Sequence, residues 1–324
     1  MRTLKKKFFV KTVYFDDSLL NCSFLPKDLS YTLFALYPYL VKDAYDLIFT
    51  SDSYVFADLV YVQPPAGHDV CLPVKDNIFF DGGGIFNFAS KMLEIPLNKI
   101  VASNALFIAN SKYTQSLIRK FYGKSSELLY PPVPIHFYRA KQGDRKNVVV
   151  TISGLNPKKN LEILPELCKM VPEAHFILVG YYNPQYDYII KNILKRCREE
   201  GLTDRFTYLP SASDWTKKAI LEMAKVLFHP TVCEPFGISI AEGMSAGLIP
   251  IAHNSGGPRE FVPKEWRYDE VEEAASKIRE ALQTWNVRVA EELRAMVYYF
   301  REERFEAELL RIIEVYLERR SLNS

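Results

Sequence analysis

Residues 233–243 read CEPFGISIAEG and carry two carboxylates, Glu234 and Glu242, with seven residues between them. Such a pair can serve as acid and base, or as two acceptors for sugar hydroxyls. Two other stretches bring compatible chemistry: SGLNPKKN (153–160) supplies Lys158 and Lys159, and HNSGGPRE (253–260) supplies Gly256 and Gly257. Lysines and glycine N–H groups near helix starts suit phosphate oxygens, whereas carboxylates repel phosphate and accept from hydroxyls. Together they describe a site for a sugar linked through a diphosphate. Singly, each has a plainer reading. Ser239-Ile-Ala-Glu242 fits a capping box, Gly256-Gly257-Pro258 a turn, and Lys158-Lys159 a solvated helix start beside an Asn160 cap.

The convergence depends on the elements that carry these residues. From about residue 147, short β-branched or aromatic runs alternate with helical stretches: NVVVTIS and NLEILPELCKM, HFILVG and Gln185 to Glu200, FTYLP and DWTKKAILEMAK, VLFHP and ISIAEGMSAG, then LIPIA. That alternation predicts βαβ units and a parallel, Rossmann-like sheet covered on both faces. In such sheets ligands bind beyond the carboxyl ends of the strands, so the loops after 148–152, 226–229 and 249–252 must open on one edge. In the first half, KKFFVKTVYF, YDLIFTSD, ADLVYVQPP, NALFIANS and SELLYPPV read as strands, with a helix from Tyr113 to Phe121. The polar stretch RAKQGDRKN (139–147) suits a linker. The expected organisation is an α/β domain over 1–142, a Rossmann-like domain over 143–286, and helices over 287–324 that pack back across both.

Composition narrows the partners. The 324 residues suffice for two cored domains, and 41 basic against 39 acidic residues give a net charge of +2, with no polyelectrolyte signature for nucleic acid. The five cysteines are scattered without a Cys-x-x-Cys pair, which argues against a disulfide framework or structural zinc and fits a reducing cytoplasm. No apolar run reaches membrane-spanning length, and the start lacks the apolar core of a secretory signal. Arg2, Lys5, Lys6, Lys7 and Lys11 are a solvated charge run or a peripheral contact with anionic lipid at the cytoplasmic membrane face.

HPTVCEPFGISIAEGMSAGLIPIAHNSGGPREFV resembles the signature of the retaining GT-B glycosyltransferases of family 4, and loosely the dolichol-pathway mannosyltransferase branch. The matching residues are Glu234, Phe236, Gly237, Glu242, Gly247, Pro250, Gly256, Gly257 and Glu260, joined upstream by Pro157, Lys159 and Asn160. IANSKYTQSLI (108–118) and LLYPPV (128–133) are similar to the segment that closes the family's acceptor domain. The resemblance implies α/β architecture with two Rossmann-like domains facing a cleft, the N-terminal one shortened. It implies transfer of a sugar, with retention and without a metal or cofactor, from a UDP- or GDP-linked donor to a glycan, lipid-linked or protein hydroxyl. Glu234 would contact the donor sugar and Glu242 the ribose. Lys159, with Lys158, would stabilise the diphosphate, and backbone N–H groups of Phe236, Gly237 and Ile238 would help hold sugar or phosphate. Ser153, Gly154, Gly256 and Gly257 would line the donor side, and Ser211, in YLPSAS, would face the base.

Two departures qualify the resemblance. The family has an arginine five residues before the lysine, where this chain has Gly154; and against the family's pattern the chain would start one βα unit late, at KKFFVKTVYF, as a natural minimal version or because the sequence lacks its beginning. For a general base the nearest offering is His68, beside Asp69, although in retaining transfer the departing phosphate can take the acceptor proton. DGGGIF (81–86) offers glycines to the acceptor side or forms a loop tip. His229 and His253, at strand ends, either contact donor groups or are satisfied buried histidines. The competing readings are a catalytically reduced sugar-nucleotide-binding or partner protein, and a GT-B-fold sugar-nucleotide epimerase.

Overall fold

A computed structural model describes residues 47–50, 57–62, 105–140 and 143–323, and the chain divides into two units. The first comprises Met1–Tyr130 and Glu306–Ser324, the second Pro131–Phe305. KKFFVKTVYF, His68, Asp69 and DGGGIF lie outside the described residues.

In the first unit, β1 (Phe49–Thr50), β2 (Leu59–Val62), β3 (Leu106–Ala109) and β4 (Ser126–Leu128) pair in parallel in that order. Helix α1 (Lys112–Tyr122) crosses from β3 to β4; Ser111 caps its start and Gly123, at φ 65°, its end. Val60, Val62, Phe107, Ala109 and Ile118 form a small core. Asp58 accepts from the backbone N–H of Ile48 and from the Tyr316 hydroxyl, joining the sheet to the terminal helix.

The second unit is a six-stranded parallel sheet made of β5 (Lys146–Gly154), β6 (His175–Tyr181), β7 (Phe206–Pro210), β8 (Ala224–His229), β9 (Ile249–His253) and β10 (Arg267–Tyr268). Its spatial order, β7-β6-β5-β8-β9-β10, is the doubly wound Rossmann order, with the chain reversing direction across the sheet between β5 and β8. The apolar run Val148–Ile152 is buried, as a strand covered on both faces requires, and the one polar group within it, Thr151 Oγ1, donates to the Phe228 carbonyl at 3.0 Å. The helices are α2 (Ile135–Tyr138), α3 (Leu164–Met170), α4 (Asp187–Glu199), α5 (Asp214–Met223), α6 (Ile238–Ala246), α7 (Val271–Thr284), α8 (Val287–Val297) and α9 (Glu302–Asn323), the last continuing into the first unit. Helix α7 packs on α3, whereas α5, α8 and α2 pack on α6.

The division between units falls at Tyr130–Pro131, ahead of the polar stretch expected to be the linker. Residues 131–140 stay with the second unit because α2 packs on α6 and Val133 bridges Arg301. The expected C-terminal helical segment also divides, α8 belonging to the second unit and residues from Glu306 onward to the first.

Two arginines fix the far end of α6. Arg145 donates to the carbonyls of Leu221, Ala224 and Ala246, and Arg294 to those of Ser245 and Ala246. Cations at a helix C-terminus satisfy its orphan carbonyls and its dipole together. Arg145→Met takes the guanidinium donor from the Leu221 and Ala224 carbonyls and leaves Ala246 with Arg294 alone. It should therefore cost about 3 kcal/mol, read as a fall in the urea or thermal midpoint.

Candidate active site

The strand order puts the ends of β5, β8 and β9 side by side, so the three loops singled out by sequence open on one edge. After β5, Asn156 Oδ1 accepts the Lys158 N–H at 2.9 Å and starts a 3-10 turn over Pro157–Lys159. The turn ends at Asn160, in the left-handed region at φ 50°, whose Nδ2 reaches the Pro230 carbonyl at 3.5 Å. After β8, Cys233 is also left-handed, at φ 56°, and its N–H donates to Ser255 Oγ of the third loop at 2.7 Å. Ser255 in turn meets His253 Nδ1 at 2.8 Å, and burial lowers the His253 pKa, which favours the neutral ring.

Close backbone approach explains the glycine pair. The Gly257 N–H donates to the Glu234 carbonyl at 2.8 Å. A Cβ on Gly256 would stand 2.3 Å from that carbonyl oxygen, and one on Gly257 2.1 Å from the Pro235 oxygen. The pair therefore seats the third loop against the second, and the Gly257 N–H, expected at the donor phosphates, is taken by Glu234.

Glu234 sits where these loops meet. Its Oε2 accepts from Lys159 Nζ at 2.8 Å and faces His229 Nε2 at 3.1 Å, while Oε1 takes no bond from the described residues. Burial raises the carboxyl's pKa, but the hydrogen bonds and charges of His229 and Lys159 outweigh it and bring the group down to about 2. Its side chain is 13% exposed and that of His229 4%. The arrangement is an ionised acceptor with one oxygen locked and one available.

Helix α6 begins at Gly237, whose φ of 98° suits glycine and which caps without a side-chain bond. The N–H groups of Ile238 and Ser239 have no intrahelical acceptor, and the Ile238 side chain is exposed. The capping box does not form. Ser239 is the second helical residue and faces His229 Nδ1 at 3.5 Å; Glu242 is the fifth, too far along to reach back, and pairs with Lys217 Nζ at 3.2 and 3.3 Å. The Phe236 side chain is core, its ring 5.1 Å from Phe261 and 4.9 Å from Phe300, so only its backbone remains for a ligand.

The remaining expected residues divide. Ser153 Oγ donates to the Gly154 carbonyl at 3.1 Å, and a Cβ on Gly154 would meet nothing within 4 Å. Lys158 is exposed on the turn beside Lys159. Ser211, at φ 46° past β7, donates its N–H to the Gly180 carbonyl and accepts the Tyr182 N–H. His229 proves to be the buried partner of Glu234. Sequence reasoning missed Lys217, which lies with Ile220 and Leu221 on the buried face of α5. Among the described residues no group of three or more His, Cys, Asp or Glu could hold a metal, and no helix is long and apolar enough to cross a membrane.

The family model described as "Glycosyl transferases group 1" matches residues 135–302, more than half of the chain. The chain belongs to this family. It is 28% identical over 214 residues to the GDP-Man:Man(3)GlcNAc(2)-PP-Dol alpha-1,2-mannosyltransferase of Dictyostelium discoideum, covering 60% of this chain and 41% of that protein. It is 26% identical over 224 residues to the alpha-1,3/1,6-mannosyltransferase ALG2 of Rhizomucor pusillus, covering 53% and 48%. The chain thus spans less than half the length of these two curated relatives. Among solved structures, Anabaena HepE in complex with UDP and glucose superposes with a TM-score of 0.69 at 19% identity, covering 86% of this chain and 80% of that one. Sucrose-phosphate synthase from Thermosynechococcus elongatus gives 0.74 at 18%, covering 93% and 80%. These likenesses establish the group 1 chain as two parallel-sheet α/β domains of the GT-B glycosyltransferase type.

The depressed Glu234 pKa has a stability consequence. A carboxyl lowered on folding contributes stability above its unfolded value, near 4.5, and loses it as pH falls toward about 2. Compared with Glu234→Gln, the wild type should lose about 3 kcal/mol of advantage over that window. Urea unfolding at pH 7, 5 and 3 should show the two converging as the medium becomes acidic.

Proposed function

We propose that the chain transfers a hexose from a UDP- or GDP-linked donor to a hydroxyl of a glycan, lipid-linked or protein acceptor, with retention and without a metal. The observation that carries this reading is Glu234, ionised by Lys159 and His229 on one oxygen and open on the other, at the switch point where Rossmann-type sheets bind nucleotides. The relatives named as mannosyltransferases, one of them GDP-mannose-dependent, make mannose the first sugar to try.

Each residue then has a task. Glu234 Oε1 accepts from a donor-sugar hydroxyl and so fixes the anomeric carbon. Lys159 keeps two further N–H donors for the diphosphate as it departs; the Ile238 and Ser239 N–H groups, at the positive end of α6, add to that stabilisation. Glu242 accepts from the ribose, Ser211 lies on the base side, and Ser153 and Gly154 floor the donor site. Lys158 supplies a second cation beside Lys159, where the family's arginine is absent. The assignment of His68 as acceptor-side base stays part of this proposal, as do a cytoplasmic setting and peripheral membrane contact.

The test is transfer from labelled GDP-mannose and UDP-hexoses to dolichol-linked, glycan and peptide acceptors. Activity should be present in the wild type and fall by at least about 100-fold in Glu234→Ala, the size of losing one oriented electrostatic contact in a transition state. Tight nucleotide binding without turnover would favour the reduced binding protein, and donor conversion without an acceptor the epimerase. Failure of every donor to bind between residues 153 and 260 would refute the site.

Gly154 gives a gain-of-function check. Its surroundings leave room for a longer side chain, so Gly154→Arg should restore a cation at the diphosphate. One charge-assisted contact is worth roughly 1.5 to 3 kcal/mol, so affinity for GDP or UDP should rise about tenfold or more in calorimetry.

A further inference from the structure

Lys217 and Glu242 form an ion pair whose side chains are only 7% and 10% exposed. The lysine ammonium reaches Glu242 Oε1 at 3.2 Å, Oε2 at 3.3 Å and Asp214 Oδ1 at 3.3 Å, and lies 4.7 Å from the centre of the Tyr138 ring. The Tyr138 hydroxyl donates to Asp214 Oδ1 at 3.3 Å. Burying two charges costs several kcal/mol, and an apolar pair would join α5 to α6 at least as well. An ion pair kept at this position therefore points to a use for the charge on Glu242.

We propose that Lys217 is a positioning residue of the donor site, holding the Glu242 carboxylate in place to accept from the hydroxyls of the donor's ribose. The inference rests on the donor-site reading above. Each Glu242 oxygen has two lone pairs and Lys217 occupies one on each, so acceptor capacity remains for two neighbouring hydroxyls. The lysine also fixes the side chain, so less rotamer freedom is lost when a ribose binds.

The electrostatics agree. Burial pushes the Glu242 carboxyl up, Lys217 pulls it down, and Asp214 raises it further. The groups facing α6 are Asp214 and Lys217 from α5, Tyr138 and His136 from α2 with Arg139 just after it, His229 from β8 at Ser239, and, at the far end, Arg145 ahead of β5 and Arg294 with Glu291 from α8. Lys217 is the cation in contact with the Glu242 carboxylate. Without it, the carboxyl would protonate at higher pH and lose acceptor capacity.

The experiment is calorimetric titration of GDP and UDP against their 2′-deoxy and 3′-deoxy counterparts, from pH 4 to 9. It uses the whole chain as wild type, Lys217→Met, Lys217→Arg and Asp214→Asn, with near-UV circular dichroism to confirm folding. Wild type should prefer the ribonucleotide by at least about tenfold, the size of one hydrogen bond to a charged group. In Lys217→Met that preference should be lost toward the acid end of the range, at higher pH than in the wild type, and return as pH rises, while Lys217→Arg follows the wild type. Asp214→Asn, an exposed change, should move the acidic loss of preference to lower pH. A merely structural lysine would alter stability but leave the ribose preference and its pH profile unmoved, and that result in Lys217→Met overturns the proposal. Should Lys217→Met fail to fold, an unmoved acid limb in Asp214→Asn overturns it instead. Nucleotide binding with no ribose preference in the wild type overturns it while leaving the donor site standing; absence of any nucleotide binding refutes the donor site itself.

Discussion

The Glu234 carboxylate must remain ionised in a corner almost closed to water, and the three loops around it are built to meet that requirement. Desolvation alone would favour the neutral acid. Two donors on one oxygen reverse the balance, and they come from different strand ends: Lys159 after β5 and His229 at the end of β8. The donors meet the carboxylate only while the loops keep their register. Asn156 and Asn160 set the lysine turn, Cys233 docks on Ser255, and Gly257 takes the Glu234 carbonyl. A left-handed residue turns the chain in each of the first two loops, and a pair of glycines in the third allows backbones to approach where a Cβ would collide.

This arrangement changes the meaning of the glycine pair. Glycines next to a phosphate site are commonly taken to admit the ligand. Here Gly256 and Gly257 admit another loop, and their contribution to a ligand passes through the position of Glu234. Gly154 is the opposite case, with open space where a Cβ would point and nothing in the packing that requires glycine. The fold therefore does not require glycine at this position.

The second unit was legible in sequence because its strands are buried on both faces and its helices are amphipathic. Each expected strand from β5 to β9 is present, and so are the helices between them. β10 and α7 were not anticipated, although Ala274, Ala275, Ile278, Ala281 and Leu282 recur at helical spacing. The unit boundary was misplaced because polarity marks exposed chain, and α2 lies just before the polar stretch yet packs on α6. At the site, Glu234, Lys159 and the glycines could be picked out by residue type and spacing. Lys217 could not, because its partner lies 25 residues away on another helix and a lysine in a helix reads as solvated. The capping box failed for a related reason: the spacing was right, but Gly237 starts the helix two residues before Ser239.

Helix α6 shows how the parts combine. It is buried from Ile240 to Ala246, so it has little polar surface of its own with which to fix its position. It is held at three levels instead. Gly257 and Glu234 locate the chain entering it, Lys217 grips it in the middle through Glu242, and Arg145 with Arg294 close its carbonyl end. Cations neutralise the negative end of the dipole, while the positive end carries unpaired N–H groups beside Glu234 and Lys159. A helix fixed in this way can stabilise charge developing at its N-terminus without moving toward it. Electrostatic stabilisation is most effective when the donors need no reorganisation as charge appears. By this argument the two arginines, though at the end of α6 remote from Glu234, belong to the same electrostatic design as the glutamate.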